Sequence, residues 1–317
     1  MDGVLLKGSK PIPGAHEALR LLEDRRVPWI LMTNGGGISE SARAEKLREK
    51  LNIPVEVEQV VQSHTPMKAL KGKEDMTVLV IGGDRDYSRY VAEEYGFKKV
   101  VVTADYIATK SSIWPFHNKE LLEFGRSEKG IDELKIDAIL VFNDPRDLGT
   151  DVQVVADILN RDPDTHVIFS NNDWLWANDY PKPRFGQGVT RFIIEKMHQE
   201  IHGKPLNMTI LGKPTKVAYD YAHHVLLTRS LKLMGASVEG VSHQFGKEVE
   251  GSHMKQVFMV GDNPASDIIG GHNYGWNTAL VRTGVWRDGD KLPCWPTIVG
   301  NDVFAVVSAG LKKMGLF

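Results

Sequence analysis

The sequence predicts an α/β protein with a Rossmann-like, doubly wound parallel sheet. Short apolar runs rich in Val and Ile recur along the chain, and each ends in small polar residues, as buried parallel strands do. These runs are VPWILMTN, MTVLVIGGD, KKVVVTAD, DAILVFND, THVIFSNND, NMTILGKP, QVFMVGDN and NTALVRTG. Amphipathic stretches of helical length lie between them, among them HEALRLLEDR, SARAEKLREKL, DVQVVADILNR and GVTRFIIEKMHQEI. Such alternation is typical of α/β folds. Because these strands exceed what one compact sheet of this chain length usually holds, we expect two sheets.

The composition is that of an ordinary globular protein. The 317 residues are 42% hydrophobic and 25% charged, with a formal net charge of −2. This near-zero charge gives no electrostatic reason to expect nucleic acid or an anionic membrane surface as a partner. Cys294 is the single cysteine, so an internal disulfide is excluded. The apolar runs are too short to cross a bilayer, and we therefore predict no membrane span.

Polar residues stand where the predicted strands end, which is where open parallel sheets bind ligands. They are Asp2 in MDGVL, Thr33 and Asn34 in LMTNGGG, Lys213 in ILGKP, and Asp262 and Asp267 in MVGDNPASD. Singly, each motif fits a turn, a helix cap or a solvated lysine. Together they form a coherent set. Carboxylates suit Mg²⁺, whereas a hydroxyl, backbone amides and a lysine suit phosphoryl oxygens. The set predicts a phosphoryl-transfer site.

The order of these motifs resembles that of the haloacid dehalogenase (HAD) superfamily. D-G-V-L, a strand ending in T-N, G-K-P and G-D-N-x-x-S-D match its four motifs in turn. The long segment between the second and third motifs is similar to class IIA, the NagD-like phosphatases with a large α/β cap. TNGGGISE, YPKPRFGQG and GDNPASDIIGG look most like the cat-eye-syndrome critical region hydrolases. The resemblance spans the chain and implies a HAD core of residues 1–65 and 190–317, with an α/β cap of residues 66–190 inserted between them.

The resemblance implies a Mg²⁺-dependent phosphate monoester hydrolase that works through an aspartyl-phosphate. Asp2 matches the second aspartate of the family's D-x-D-G motif, which acts as general acid and base and offers its backbone carbonyl to the metal. Asp262 would ligate Mg²⁺ directly, and Asp267 would orient a metal-bound water or the loop. A dehalogenase is disfavoured, because halide displacement does not need the metal-binding carboxylate of Asp262.

The phosphoryl group would be held by the second and third motifs. The resemblance assigns this role to the Thr33 hydroxyl, to the backbone amides of Asn34 and Gly35, and to Lys213, which would also neutralise charge on the nucleophile. The substrate is then a small phosphorylated molecule, and its selectivity would come from the cap. Asn171, Asn172 and Asp173 end a predicted cap strand and are candidates for that role; the alternative is an Asn-rich turn.

The nucleophile is the point of departure from the family. In D-x-D-G the position x is Met1, so we expect the attacking aspartate and its strand to precede Met1 and the chain as printed to be inactive. In this fold that strand lies in the middle of the sheet, and without it both neighbouring strands expose an edge. The alternative is a catalytically inactive HAD-like binding or regulatory protein. The completeness of the other three motifs favours the first interpretation.

The resemblance also bears on location and assembly. It implies a mitochondrial protein with a link to glycerophospholipid metabolism. No targeting segment is visible in the chain, and the alternative location is the cytoplasm. The sequence is compatible with a monomer and with a homo-oligomer.

Overall fold

The structure, a computed structural model, describes residues 1–176, 180, 182, 184–239 and 245–317. The chain divides into two compact units. The first comprises Met1–Thr33, Glu40–Gln62 and Lys213–Phe317, and the second comprises Asn34–Ser39 and Ser63–Gly212. One boundary between the units therefore lies inside the TNGGG motif, between Thr33 and Asn34.

The strands and helices alternate along both units. The strands of the described residues are β1 (Leu6–Lys7), β2 (Lys10–Pro11), β3 (Leu31–Met32), β4 (Val60–Val61), β5 (Thr77–Ile81), β6 (Lys99–Val102), β7 (Ala138–Val141), β8 (His166–Phe169), β9 (Leu175–Trp176), β10 (Arg184–Phe185), β11 (Met208–Ile210), β12 (Phe258–Gly261), β13 (Asn277–Val281) and β14 (Ile298–Gly300). The α-helices of the described residues are α1 (Ala15–Asp24), α2 (Glu40–Leu51), α3 (Tyr87–Glu94), α4 (Thr103–Thr109), α5 (Leu148–Arg161), α6 (Gln187–His202), α7 (Lys216–Leu233), α8 (Ile269–Asn273) and α9 (Val303–Lys313). Every apolar run quoted above contains one of these strands, and the α/β fold class is confirmed.

The second unit contains a five-stranded parallel sheet. Its strand order is β11-β8-β7-β5-β6, and every neighbouring pair is parallel. All residues of β5 and β7 are buried, because a parallel sheet of this kind is covered on both faces. Residues of α5 join the same apolar core as β7 and β8, including Val154, Val155 and Leu159. The antiparallel pair β9–β10 lies outside this sheet.

The second unit continues to Gly212, whereas the sequence suggested a boundary near residue 190. Strand β11 accounts for the difference, because it pairs with β8 in parallel, with Thr209 opposite Ile168. Helix α6 precedes this strand and buries Ile194 in the same core. Both elements therefore belong to the second unit, and the first unit resumes at Lys213.

The first unit has its parallel strands in two groups. Strands β12, β13 and β14 form one sheet in that order, and β3 pairs with β4 in another. Both groups contribute to one apolar core, in which Leu31 and Ala279 join residues of α1 and α9. Helix α9 begins at a capped end, since the Asp302 carboxylate accepts the Ala305 amide at 2.8 Å.

An apolar cavity of about 490 Å³ lies between these two groups of strands. Strand β3 and the residues before it line one part, and β12 lines another; α1, α7 and α9 complete the walls. Among the described residues, β3 pairs only with β4 and β12 only with β13, so each has one edge that faces no other strand. No helix in the described part of the chain is long and apolar enough to span a membrane.

Candidate active site

A buried ion pair joins the third and fourth motifs in the first unit. Lys213 Nζ lies 2.5 Å from Asp267 Oδ1, and both side chains are almost fully buried. The same amine is 3.5 Å from the carbonyl oxygen of Met32, at the end of β3. Burial by itself would raise the pKa of Asp267, but the charge and hydrogen bond of Lys213 hold it below its usual value. Asp267 is therefore an ionised group with a fixed partner.

The second oxygen of Asp267 supports the loop that follows β12. Oδ2 accepts the backbone amides of Asp262 and Asn263, each at 3.1 Å. The Asn263 side chain in turn accepts the Ala265 amide at 3.0 Å, which caps the π-helical turn Pro264–Ile268. Both Asp267 oxygens are thus engaged by protein donors. Its position suits the support of this loop better than direct contact with a metal.

Asp262 is a buried carboxylate in a different situation. Its Oδ2 accepts the backbone amide of Val285 at 2.9 Å, and among the described residues it forms no ion pair. Burial raises the pKa of Asp262, and the negative charge of Asp267 raises it further. A buried carboxylate with this surplus of negative charge is one that a cation would stabilise.

Two glycines permit the backbone to approach Asp262. A Cβ atom built on Gly284 would lie 1.9 Å from Asp262 Oδ2, and one built on Gly3 would lie 2.4 Å from it. Gly3 also has a φ of +75°, in the region that favours glycine. The Thr283 hydroxyl donates to the Gly3 carbonyl and so ties the first motif to the loop after β13. The D-G pair of the first motif and the fourth-motif aspartate are therefore in contact.

The segment around Asp2 is a tight turn. The amides of Val4, Leu5 and Leu6 all donate to the Met1 carbonyl, and the Asp2 side chain is exposed. Arg43 of α2 lies within electrostatic reach of Asp2: burial lowers the pKa of this guanidinium, and the Asp2 charge opposes that effect. Asp2 thus lies beside the Asp262 loop with its carboxylate open to solvent.

The backbone nitrogen of Met1 lies among the charged groups of the site. Burial lowers the pKa of this amino group, and the charge of Lys213 acts in the same direction. The nearby carboxylates of Asp2, Asp267 and Asp262 oppose these effects.

The second motif is shared by the two units. In the first unit, Thr33 is buried and its amide donates to the Val61 carbonyl at 2.9 Å, next to β4. In the second unit, the Asn34 side chain donates to Asp173 Oδ2 at 3.1 Å, and its carbonyl accepts from the Asn171 side chain at 3.0 Å. The structure therefore brings two of the three cap candidates into contact with Asn34, a member of the proposed phosphate loop. The third candidate, Asn172, accepts instead from Arg191 Nε at 2.6 Å.

The donor set fits a hard divalent cation. The described residues contain no group of three His, Cys, Asp or Glu side chains that could hold a metal by themselves. A cation at Asp262 would thus depend on one carboxylate, backbone carbonyl oxygen, water and substrate. Mg²⁺ is held in this manner, because it keeps several waters and binds through one or two carboxylates plus phosphate. Among the described residues, Asp262 is the carboxylate placed to hold it.

Sequence reasoning missed several supporting residues. The loop Thr283–Val285 holds Asp262 and Gly3 in place, and it begins at the end of the run NTALVRTG, just after β13, so its place at a strand end is the signal that could have found it. Tyr219 of α7 donates its hydroxyl to the Ser266 and Asp267 carbonyls at 3.2 and 3.1 Å. Neither Tyr219 nor Arg43 carries a local sequence signal, because their partners are distant along the chain.

Comparisons with known proteins identify the family of the chain. A family model described as haloacid dehalogenase-like hydrolase matches residues 1–98, and a second HAD-hydrolase-like model matches residues 210–306. A protein of Saccharomyces cerevisiae named mitochondrial hydrolase YKR070W is 43% identical over 99% of this chain and 94% of its own length. A cardiolipin synthase (CMP-forming) / mitochondrial hydrolase fusion protein of Schizosaccharomyces pombe is 38% identical, and the chain spans 52% of that protein. The p-nitrophenyl phosphatase of Archaeoglobus fulgidus has a similar fold, with a TM-score of 0.64 at 19% identity over 97% of this chain and 96% of that one.

The fold and the matching family models define a hydrolase of the HAD type with an inserted α/β unit. The chain belongs to the haloacid dehalogenase-like hydrolases, class IIA, and the resemblance of its motifs to that class is confirmed; the finer likeness to the cat-eye-syndrome critical region hydrolases stays a prediction.

Proposed function

We propose that this protein hydrolyses a small phosphate monoester with Mg²⁺ as cofactor, through an aspartyl-phosphate. The observation that carries the proposal is the buried Lys213–Asp267 pair next to Asp262, a buried carboxylate with no ion pair among the described residues. Relatives named as phosphatases support the reaction class, including a phosphoglycolate phosphatase of Arabidopsis thaliana that is 24% identical over 99% of this chain.

Each residue of the site has a distinct role in this proposal. Lys213 neutralises charge on the phosphoryl group, while the Thr33 hydroxyl and the amides of Asn34 and Gly35 hold its oxygens. Asp2, whose carboxylate is exposed, protonates the leaving alkoxide and then accepts a proton from the attacking water. Mg²⁺, when bound by Asp262 and the Asp2 carbonyl, supplies further neutralisation of the phosphoryl charge.

The covalent acceptor of this reaction would be an aspartate, and the D-x-D-G motif would place it next to the Met1 nitrogen, at the end of a strand long enough to fill the apolar cavity. That nitrogen lies among the charges of Lys213, Asp262 and Asp267, so an aspartate attached there would enter the same cluster. Apolar residues before it would lie between β3 and β12, whose edges there face no other strand of the described chain. A strand of about five residues is about 16 Å long and offers hydrogen bonds to both neighbours.

The decisive experiment compares the printed chain with a form that carries a Val- and Ile-rich segment and an aspartate directly before Met1. We expect the longer form to hydrolyse p-nitrophenyl phosphate with Mg²⁺ and to lose this activity in EDTA. Asparagine in place of the added aspartate is the matched control and should be inactive but folded. If the longer form binds Mg²⁺ and phosphate but turns over no phosphate ester, a binding or regulatory protein replaces the hydrolase.

The biological setting is a separate part of the proposal. Two relatives above 30% identity carry the words mitochondrial hydrolase in their names, and one of them is named as a fusion with cardiolipin synthase. We therefore propose a mitochondrial protein whose substrate is a phosphorylated metabolite or head group of glycerophospholipid synthesis. Fractionation of cells with a tagged protein tests the location, and a panel of glycerol- and sugar-phosphates tests the substrate.

The second unit serves as the cap in this proposal. Asn34 and Gly35, which hold the phosphoryl oxygens, belong to that unit. Removal of residues 66–190 would cut through α6 and separate β11 from β8, so a deletion that tests the cap should extend to Gly212.

A further inference from the structure

We propose that Asp173 is a positioning residue that, together with Asn171, holds Asn34 and thereby the phosphate-binding amides of the TNGGG loop. The inference rests on the proposed function, because the loop is taken to bind the phosphoryl group. It replaces the role in substrate selectivity that the sequence suggested for Asn171 and Asp173.

The three residues form a closed ring of hydrogen bonds. Asn34 Nδ2 donates to Asp173 Oδ2 at 3.1 Å, and Asn171 Nδ2 donates to the Asn34 carbonyl at 3.0 Å. The Asp173 amide donates to Asn171 Oδ1 at 3.0 Å and closes the ring. Asn34 is thus held through its side chain and through its backbone. The bond to Asp173 is charge-assisted, which makes it stronger than one between neutral groups.

The ring is attached to a buried part of the second unit. Asn171 is buried and follows β8 by two residues, and its amide donates to Gln187 Oε1 at 3.0 Å. Gln187 is fully buried at the start of α6 and also donates to Ser170 Oγ at 3.0 Å. Two regular elements therefore fix the position of Asn171. Rigid support of this kind is what holds a binding group in a productive geometry.

The loop itself needs such support. Asn34 is followed by Gly35, Gly36 and Gly37, which have no side chains with which to anchor the backbone. Glycine loses more conformational freedom on ordering than any other residue, so an unsupported glycine run pays this cost when it closes on an anion. The Gly36 carbonyl also accepts from Asn143 Nδ2 at 3.4 Å. A fixed Asn34 at the start of the run reduces the freedom of the amides after it.

Asn172 provides a natural comparison. It stands between the two ring members, yet its side-chain oxygen accepts from Arg191 and lies outside the ring. A substitution at Asn172 changes the same strand end without touching Asn34. The Asn172 substitution therefore distinguishes a specific role of the hydrogen-bonded ring from a general disturbance of the segment after β8.

The test measures the affinity of inorganic phosphate in the presence of Mg²⁺ by calorimetry, a readout that needs no turnover. We expect Asp173→Ala and Asn171→Ala to weaken phosphate binding by about 10- to 100-fold, the usual effect of losing a bond to a charged group. Asp173→Asn keeps an acceptor oxygen and should fall between the parent and Asp173→Ala. Asn172→Ala should bind phosphate as the parent does, and all variants should unfold at nearly the parental temperature.

A double-mutant cycle makes the test independent of any single variant. Asn34→Ala removes the same hydrogen bond from the other side, so the Asn34→Ala/Asp173→Ala pair should lose little more affinity than either change alone. Additive losses, or an equal loss from Asn172→Ala, would overturn the inference. If the parent binds phosphate and Asp173→Ala binds it equally well, the inference fails while the proposed function stands. If the parent itself does not bind phosphate with Mg²⁺, both fail.

Discussion

Lys213 and Asp267 form a buried ion pair at 2.5 Å, and the other oxygen of Asp267 holds the loop that carries Asp262. Removal of the lysine therefore leaves a buried carboxylate without a counter-charge. We expect Lys213→Met to lower the free energy of unfolding by about 3–5 kcal/mol, measured by urea denaturation. Lys213→Met/Asp267→Asn should recover part of this loss. Lys204→Met, which breaks the exposed Lys204–Asp164 pair, is the control and should cost at most about 1 kcal/mol.

The two aspartates of the fourth motif should differ in their effect on metal binding. Asp262 is a buried carboxylate that forms no ion pair among the described residues, so Asp262→Asn should abolish Mg²⁺ binding in the presence of phosphate. Both Asp267 oxygens are engaged by protein donors, and Asp267→Asn should weaken Mg²⁺ binding by about 10- to 100-fold. Calorimetric titration of Mg²⁺ measures both. Equal losses from the two substitutions would contradict the assignment of Asp262 as the direct ligand.

The close approach of Gly284 to Asp262 gives a steric prediction. A methyl group at Gly284 would lie 1.9 Å from the carboxylate oxygen, so Gly284→Ala must displace Asp262. We expect Mg²⁺ binding to be lost, with thermal unfolding at a lower temperature than that of the parent. Gly310→Ala in α9 is the control, because a methyl group at Gly310 would lie 4.0 Å from Ile298 Cδ1, an ordinary contact distance. That change should be neutral or stabilise the helix by up to about 1 kcal/mol.

Asp151 should make the stability of the protein depend on pH. It is buried on α5, accepts the Thr103 hydroxyl at 2.7 Å, and burial raises its pKa to about 7 from 3.8. The folded state then binds a proton more tightly than the unfolded state, so this group lowers stability progressively from about pH 4 to about pH 7. Asp151→Asn removes that dependence. We compare the free energy of unfolding of Asp151→Asn with that of the parent by urea denaturation. This difference should be more favourable to the variant at pH 8 than at pH 5, by on the order of 2 kcal/mol.

Asp137 is the control for that experiment. The Thr77 amide donates to its carboxylate at 2.9 Å and lowers its pKa below 3.8. Its effect on stability is lost as the pH falls through this lowered value and is constant at higher pH. Asp137→Asn should therefore give the same difference from the parent at pH 5 and at pH 8. A pH-dependent difference there would mean that other groups dominate the profile.

The strands were predictable because their signal is local. DAILVFND contains β7, THVIFSNND contains β8 and NTALVRTG contains β13, each a short apolar run followed by polar residues. The helices were predictable for the same reason: DVQVVADILNR lies within α5, which begins three residues earlier, where the Asp147 side chain accepts the Thr150 amide. Periodicity and turn residues are properties of a few neighbouring positions, and one sequence is enough to read them.

The remaining features depend on pairs that are far apart along the chain. The apolar pattern of strand β11 is like that of the other strands. Only its pairing with β8 shows that it belongs to the second unit. Asn34 and Asp173 are 139 positions apart, and Asp262 and Val285 are 23 apart. The family motifs identify Asp262 and Asn34 but not the groups that hold them, because those groups carry no motif of their own.

The apolar cavity between β3 and β12 has a practical consequence. If a strand fills this cavity as in the proposed function, that strand could be supplied as a separate molecule, and the two molecules would assemble into one catalyst. A synthetic peptide of Val and Ile ending in aspartate would then act as a dose-dependent activator of the printed chain. Hydrolysis would rise with peptide concentration and saturate at the occupancy of the site, and a peptide ending in asparagine would compete with it. Under the proposed function, the chain and such a peptide would together form a split phosphatase reporter.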